Sequence, residues 1–232
     1  AFYDFTNDGT PKPCKPTDPF GHGTHIAATI ASTGQENNQL LRGIAYNVRL
    51  IGMRVLDGYG KGSTSNVIRA LTFATANKSA LGIDVINLSL GHPIYESVST
   101  DPLVQAVEAA VNAGIVVIVS AGNIGINPAT GLPGYGGITS PANAPSAITV
   151  GGVKTIGTGS RADDFVAPYS SRGPWWIDGF AKPDLVAPGH RVAADVSDGY
   201  IYKNNPAWQY KPAGASGKYA RLSGSSMAAA VV

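Results

Sequence analysis

Ile115-Val116-Val117-Ile118-Val119-Ser120, followed by Ala121-Gly122-Asn123, decides the fold class. Five apolar residues in a row leave no polar face, so the run reads as a strand inside a parallel sheet covered on both sides. Before it, Pro102 to Ala113 is compatible with a helix ended by Gly114, and Ile83 to Leu90 is the preceding strand. Ser63 to Ser79 places Val67, Ile68, Leu71, Phe73 and Ala74 at helical spacing. Val48 to Leu56 is a β-rich run that stops at Asp57-Gly58, and Ala147 to Val153 is a further strand. Small residues from Thr24 to Ser32 predict a buried helix after a polar, proline-rich opening from Asn7 to Pro19. The segment Gly157 to Ser223 is richer in loops and turns. Strands and helices alternate, which predicts an α/β fold: a mostly parallel sheet with helices on both faces. In such sheets the chemistry sits at the carboxyl ends of strands, here Asp57-Gly58, Ser89-Leu90-Gly91 and Ala121-Gly122-Asn123.

At 232 residues and 44% hydrophobic, the chain can bury a sizeable core, and no linker divides it, so one domain over residues 1–232 is expected. Only 14% of residues are charged, against roughly 25% in an average soluble protein. A formal charge of +2 without any basic run argues against a nucleic-acid partner. No apolar run approaches the ~18 residues of a membrane span, so no membrane partner is expected. Cys14 is the sole cysteine, which excludes an internal disulfide. Between Pro13 and Lys15 it reads as an exposed bystander thiol. The opening Ala1-Phe2-Tyr3-Asp4 is not a charged-then-apolar leader, which fits maturation or truncation as readily as a cytosolic address.

Two segments carry candidate chemistry. His22 lies in Gly21-His22-Gly23-Thr24-His25, and Ser226 in Gly224-Ser225-Ser226-Met227-Ala228. Each stands where a glycine-containing turn leads into small apolar residues, the way a base and a nucleophile are presented at helix starts. Taken alone, Ser225 or Ser226 is as readily a helix cap. His22 and His25 share a helix face, but His92 and His190 complete no ligand-spaced cluster, so no metal is expected. Gly58-Tyr59-Gly60-Lys61-Gly62, between a strand and a helix, leaves a nucleotide-binding α/β module open as an alternative. That fingerprint needs glycine where Ser63 stands, and its nearest useful acid, Asp84, falls late.

In order along the chain, six segments resemble the subtilisin-like serine proteases, the subtilases. They are His22-Gly23-Thr24-His25-Ile26-Ala27, Asp84 to Gly91, Ser120-Ala121-Gly122-Asn123, Ser171-Arg172-Gly173-Pro174, Lys182 to Gly189, and Gly224 to Ala228. The resemblance implies a serine endopeptidase acting on protein or peptide substrates through an acyl-enzyme. It implies His22 as base, Ser226 as nucleophile and Asn123 as oxyanion donor. Ser89, Leu90 and Gly91 would line the peptide on one side of the cleft, with Gly58, Tyr59, Gly60, Lys61 and Gly62 opposite. Ala121, Gly122 and Thr139 would complete the primary specificity pocket. No acid is among these residues, so neutral and apolar side chains are expected at the cleaved bond. By the same resemblance the protein is secreted and monomeric, with no cofactor; calcium is common in the family, but no loop has a clear ligand pattern.

The chain also departs from that pattern. The family order is Asp, His, Ser, and the acid ends a central strand some thirty or more residues before the histidine. Asp4, Asp8 and Asp18 are the acids before His22, and none is expected to follow a buried strand or matches Asp-Thr/Ser-Gly. The expectation is therefore a catalytic domain cut at both ends, with its Asp upstream of Ala1, its final helix shortened, and residues 1–232 inactive alone. An inactive subtilase-like binding domain remains the alternative. Ser225 stands where Thr is usual, Ala230 where Pro is usual and Ala28 where Gly is usual. A chymotrypsin-like order of His, acid, Ser is opposed by the alternating strands and helices, and the sedolisins use a carboxylate where this chain has His22.

Overall fold

The computed structural model describes residues 1–232, apart from the side chain of Asn37. Its first elements are β1 (Phe2–Asp4), α1 (His22–Ala31), β2 (Gly52–Arg54), α2 (Thr64–Ala76) and α3 (Lys78–Leu81). Then come β3 (Val85–Leu88), α4 (Pro102–Asn112), β4 (Val116–Ser120) and β5 (Ile148–Lys154). The remainder holds β6 (Phe165–Val166), β7 (Leu185–Pro188), β8 (Val192–Asp195), α5 (Tyr200–Asn204), β9 (Gln209–Tyr210), β10 (Tyr219–Leu222) and α6 (Ser225–Val231). Two compact units emerge, residues 1–70 with 191–222 and residues 71–190 with 223–232. Among the described residues, no helix is long and apolar enough to cross a membrane.

The second unit is built around β4. It pairs in parallel with β3 (Val85↔Val116 to Leu88↔Val119) and with β5 (Ile118↔Ile148 to Ser120↔Val150). β7 continues the parallel sheet on β5, while β6 runs antiparallel to the end of β5. Alternation along β4 sends Ile118 to one face, where it packs with Val150, Ala187, Ala228 and Ala229 of the α6 layer. Val117 and Val119, equally buried, point to the opposite face, and α4 packs against the same strand. The apolar run thus fills both faces, as its composition requires. α4 starts where Asp101 caps it: the carboxylate accepts from Leu103 N at 2.8 Å and Val104 N at 3.3 Å, and Pro102 follows.

In the first unit β1 pairs in parallel with β2, and β8, β10 and β9 form an antiparallel sheet. α1 packs on β8 and buries His25, Ile26 and Thr29. α5 holds the segment before α1, because Tyr200 N donates to Pro19 O at 2.8 Å and Ile201 N to Phe20 O at 2.9 Å.

Several sequence expectations change here. The strand expected over Val48 to Leu56 shrinks to Gly52–Arg54, because its partner β1 offers only three residues to pair with. The helix expected over Ser63 to Ser79 is interrupted only at Asn77, whose backbone N and Nδ2 both donate to Phe73 O, at 3.0 and 2.8 Å. Within the loop-richer segment Gly157 to Ser223 lie β6 to β10, strands of two to four residues, too few for an alternation to register. Asp4, expected to follow no buried strand, ends β1 between buried Tyr3 and Phe5. Three residues gave that strand too little sequence to be recognised.

Candidate active site

In the second unit, Ser226 occupies the first turn of α6, where its backbone N–H has no carbonyl four residues back within the helix. Its Oγ lies 3.4 Å from Ser89 O, and Ser89 Oγ donates to Ser226 O at 2.9 Å. Asn87 Nδ2 donates in turn to Ser89 Oγ at 2.9 Å. The strand β3 therefore anchors the serine turn directly. Asn123 is oriented by Ser225, whose backbone N and Oγ donate to Asn123 Oδ1 at 2.8 and 3.1 Å. Because Oδ1 is committed as acceptor, Nδ2 is the atom left to donate. Ser225 is fully buried, and its Oγ also accepts from Gly122 N at 3.1 Å. A serine hydroxyl makes these bonds as a threonine hydroxyl can, so Ser225 preserves the junction.

Two glycines allow this turn to form. A Cβ at Gly224 would come within 3.3 Å of Asn123 Nδ2, and one at Gly189 within 2.7 Å of Gly224 O. Gly224 N donates to Gly189 O at 2.9 Å, locking the two backbones together. The end of β4 leads through Ala121 and Gly122 to Asn123, and Thr139 N donates to Ala121 O at 3.2 Å. Ser89, Leu90, Gly91, Ala121, Gly122, Asn123, Thr139 and Ser226 all belong to this unit.

His22 belongs to the first unit, as the first residue of α1. Its turn depends on Gly21, at φ 103°, and on Asp18. The Asp18 carboxylate accepts from Gly21 N at 2.8 Å and from Thr24 N and Oγ1, both at 2.7 Å. It thus caps α1 from beyond the helix end, a role the sequence reading missed although an acid just ahead of a helix start is its usual signal. Burial holds the His22 pKa below the ordinary histidine value, and the Asp18 charge opposes that shift. A depressed pKa keeps the imidazole neutral and able to accept a proton at neutral pH.

His25, one turn on, is fully buried. Its Nε2 faces Val192 O at 3.1 Å and Ala220 O at 3.2 Å, two acceptors that require the proton on Nε2. Burial pushes its pKa down to about 4, so it packs α1 as a neutral ring.

The other acids of this unit have partners of their own. Asp4 pairs with Arg54 and accepts from Thr6 N and Oγ1, and Asp8 lies 3.7 Å from Arg69. Asp57 Oδ1 accepts from Tyr59 N and Lys61 N, which closes the Gly58–Gly62 turn and lowers its pKa. The glycines of that turn serve close packing: a Cβ at Gly60 would meet Phe20 at 2.6 Å, and one at Gly62 would meet Val55 O at 2.4 Å. Tyr59 between them is exposed and lies edge-on to Tyr200. A cleft of about 440 Å³ beside α1 is lined by Thr24, Ala27, Ala28, Ala31, Ser32 and Asp195, among others, and by no predicted site residue. Ala28 faces this open space, which explains why its extra methyl is accommodated. Among the described residues, no three His, Cys, Asp or Glu side chains gather as a metal site.

Comparison with known proteins follows the same lines. The family model described as the subtilase family matches residues 2–232. Serine protease AprX of Bacillus subtilis (strain 168) is 37% identical over 234 residues, covering 98% of this chain and 49% of AprX. Subtilisin DY of Bacillus licheniformis is 37% identical over 212 residues, covering 91% of this chain and 60% of that protein. Among solved structures, sphericase superposes with a TM-score of 0.77 at 26% identity, covering 99% of this chain and 66% of that one. The S41 psychrophilic protease gives 0.75 at 27% identity with the same coverage. The chain spans about half the length of AprX and three fifths of subtilisin DY.

Proposed function

Because the chain belongs to the subtilase family, we propose that it forms the larger part of a serine endopeptidase domain. Ser226 Oγ attacks the scissile carbonyl while His22 takes its proton. His22 then protonates the leaving amine, and water releases the acyl group from Ser226 by the reverse sequence. Asn123 Nδ2 and the Ser226 backbone N–H stabilise the oxyanion of each tetrahedral intermediate. The observation that carries this reading is the engagement of Asn123 Oδ1 by Ser225, which leaves the amide donor free beside the nucleophile turn. Ser89 to Gly91 and Gly58 to Gly62 flank the extended peptide, and the uncharged pocket favours neutral, apolar side chains.

We assign the carboxylate partner of His22 to chain outside residues 1–232. Two observations support that assignment. Asp4 pairs with Arg54, and Asp18 is engaged by Gly21 N, Thr24 N and Thr24 Oγ1 at the start of α1. β3 pairs with β4 alone among the described strands, so one edge of a parallel sheet stands open for a further strand. On this reading residues 1–232 alone are inactive, and the same engagements are what an inactive binding domain would show. Family resemblance adds an extracellular, monomeric protein without a cofactor. The complete protein carrying this chain is expected to hydrolyse unfolded protein substrates, and its Ser226→Ala variant to lose that activity. Equal hydrolysis by the variant, or none by the folded wild type, contradicts the proposal.

A further inference from the structure

Asn123 and Ser226 stand on separate segments, and one further residue is bonded to the backbone beside both. Ala167-Pro168-Tyr169-Ser170 closes a turn in which Ser170 N donates to Ala167 O at 2.9 Å. The turn is clamped to β5 through Gly152, whose O accepts from Ala167 N at 2.8 Å and whose N donates to Ser170 Oγ at 2.9 Å. The Tyr169 ring lies across that same glycine: a Cβ at Gly152 would meet Tyr169 Cε2 at 3.1 Å and its hydroxyl oxygen at 3.3 Å. The side chain therefore has a fixed seat, half-buried and stacked on His190.

On one side the turn grips the loop that carries Asn123. Tyr169 O accepts from Gly125 N at 2.9 Å, Ser171 Oγ accepts from Ile124 N at 3.0 Å, and Ser171 N donates to Gly122 O at 3.1 Å. A Cβ at Gly125 would lie 2.2 Å from Ser170 O, so the two segments touch backbone to backbone. On the other side Tyr169 Oη donates to Gly189 O at 2.8 Å, the same carbonyl that accepts from Gly224 N at 2.9 Å. Gly189 in turn abuts α6, where a Cβ added to it would meet Ala228 Cβ at 3.0 Å. The phenol and the nucleophile turn thus share one acceptor, and both of its lone pairs are used. Burial pushes the Tyr169 pKa up to about 12, and the Gly224 N–H beside the phenol oxygen opposes that shift. The hydroxyl therefore keeps its proton and donates at neutral pH.

From this arrangement we infer that Tyr169 is a positioning residue: its carbonyl and its hydroxyl together hold the Asn123 loop and the Ser226 turn in register across the oxyanion site. The inference rests on the endopeptidase reading above and adds to it a residue that acts through Asn123 and Ser226. Oxyanion donors work only within hydrogen-bond reach of the developing charge, so the spacing between Asn123 Nδ2 and the Ser226 N–H has to be fixed by the structure around them. Ser225 aligns the amide locally, and Tyr169 ties down the backbone on both sides. A misplacement of 1 Å can cost about 10²-fold in rate; removing the hydroxyl while the Gly224 bond stays is expected to cost about tenfold.

The test uses the complete protein and Tyr169→Phe, which keeps the ring on Gly152 and removes only the donor. Turnover and KM are read on one peptide substrate, per site titrated to completion with a fluorophosphonate, in the wild-type and Asn123→Ala backgrounds. Tyr169→Phe is expected to lower kcat about tenfold with KM unchanged. In the Asn123→Ala background, where the donor it aligns is gone, the same change is expected to cost less than about threefold. A purely stabilising role would lower the unfolding midpoint and the number of titrated sites while kcat per site stays at the wild-type value, and that result overturns the inference alone. So does an equal loss in both backgrounds. A wild type that is neither labelled at Ser226 nor active overturns the endopeptidase reading and this inference with it.

Discussion

The role proposed for Asn123 rests on one atom, and its neighbours decide which. Ser225 donates twice to Oδ1, so the amide cannot rotate without leaving a buried hydroxyl and a helix N–H without that acceptor. The Nδ2 donor is thereby fixed before substrate arrives, the condition for stabilising charge that appears only in the transition state. Asn123→Ala is accordingly expected to lower kcat by about 10²–10³ with little change in KM. Steady-state kinetics of the complete enzyme would check it; near-normal kcat with much weaker binding contradicts the role. Ser225 and Gly224 explain why short motifs were legible in the sequence at all. Each residue of Gly224-Ser225-Ser226 has its own geometric duty, so the spacing tolerates little change. Asp18 was harder to see, because its carboxylate works across a loop rather than within a motif.

At the scale of elements, α1 shows how the helix that opens on His22 is seated. His25 is neutral inside the fold with a pKa of about 4, against 6.5 in an ordinary environment. Between those values the unfolded chain binds a proton that the folded one refuses, so stability is full above about pH 6.5 and falls as pH drops towards 4. The difference corresponds to as much as about 3 kcal/mol. Denaturant unfolding at neutral and mildly acid pH should show this loss in wild type and a shallower one in His25→Asn. Parallel pH dependence in both proteins would contradict it. The elements also mark where sequence patterns end. β4 and α4 were readable because a two-faced apolar run and an Asp-Pro start are strong local signals. β1, β8 and β10 were not, since strands of three or four residues owe their existence to partners distant in sequence.

Across the whole molecule, the two residues proposed to carry the chemistry fall in different units: His22 in the one formed by residues 1–70 and 191–222, and Ser226 in the other. That division explains why the motifs stand at opposite ends of the sequence, each at the start of its own helix. The central claim is that Ser226 is the nucleophile and that His22 activates it. The measurement that tests it most directly is fluorophosphonate labelling of the complete protein, with peptide mapping of the modified residue and the same experiment on His22→Ala. The account predicts one phosphonylated residue, Ser226, and a labelling rate that collapses in His22→Ala while the variant still unfolds cooperatively. Modification at another residue, or undiminished labelling of Ser226 without His22, would contradict it.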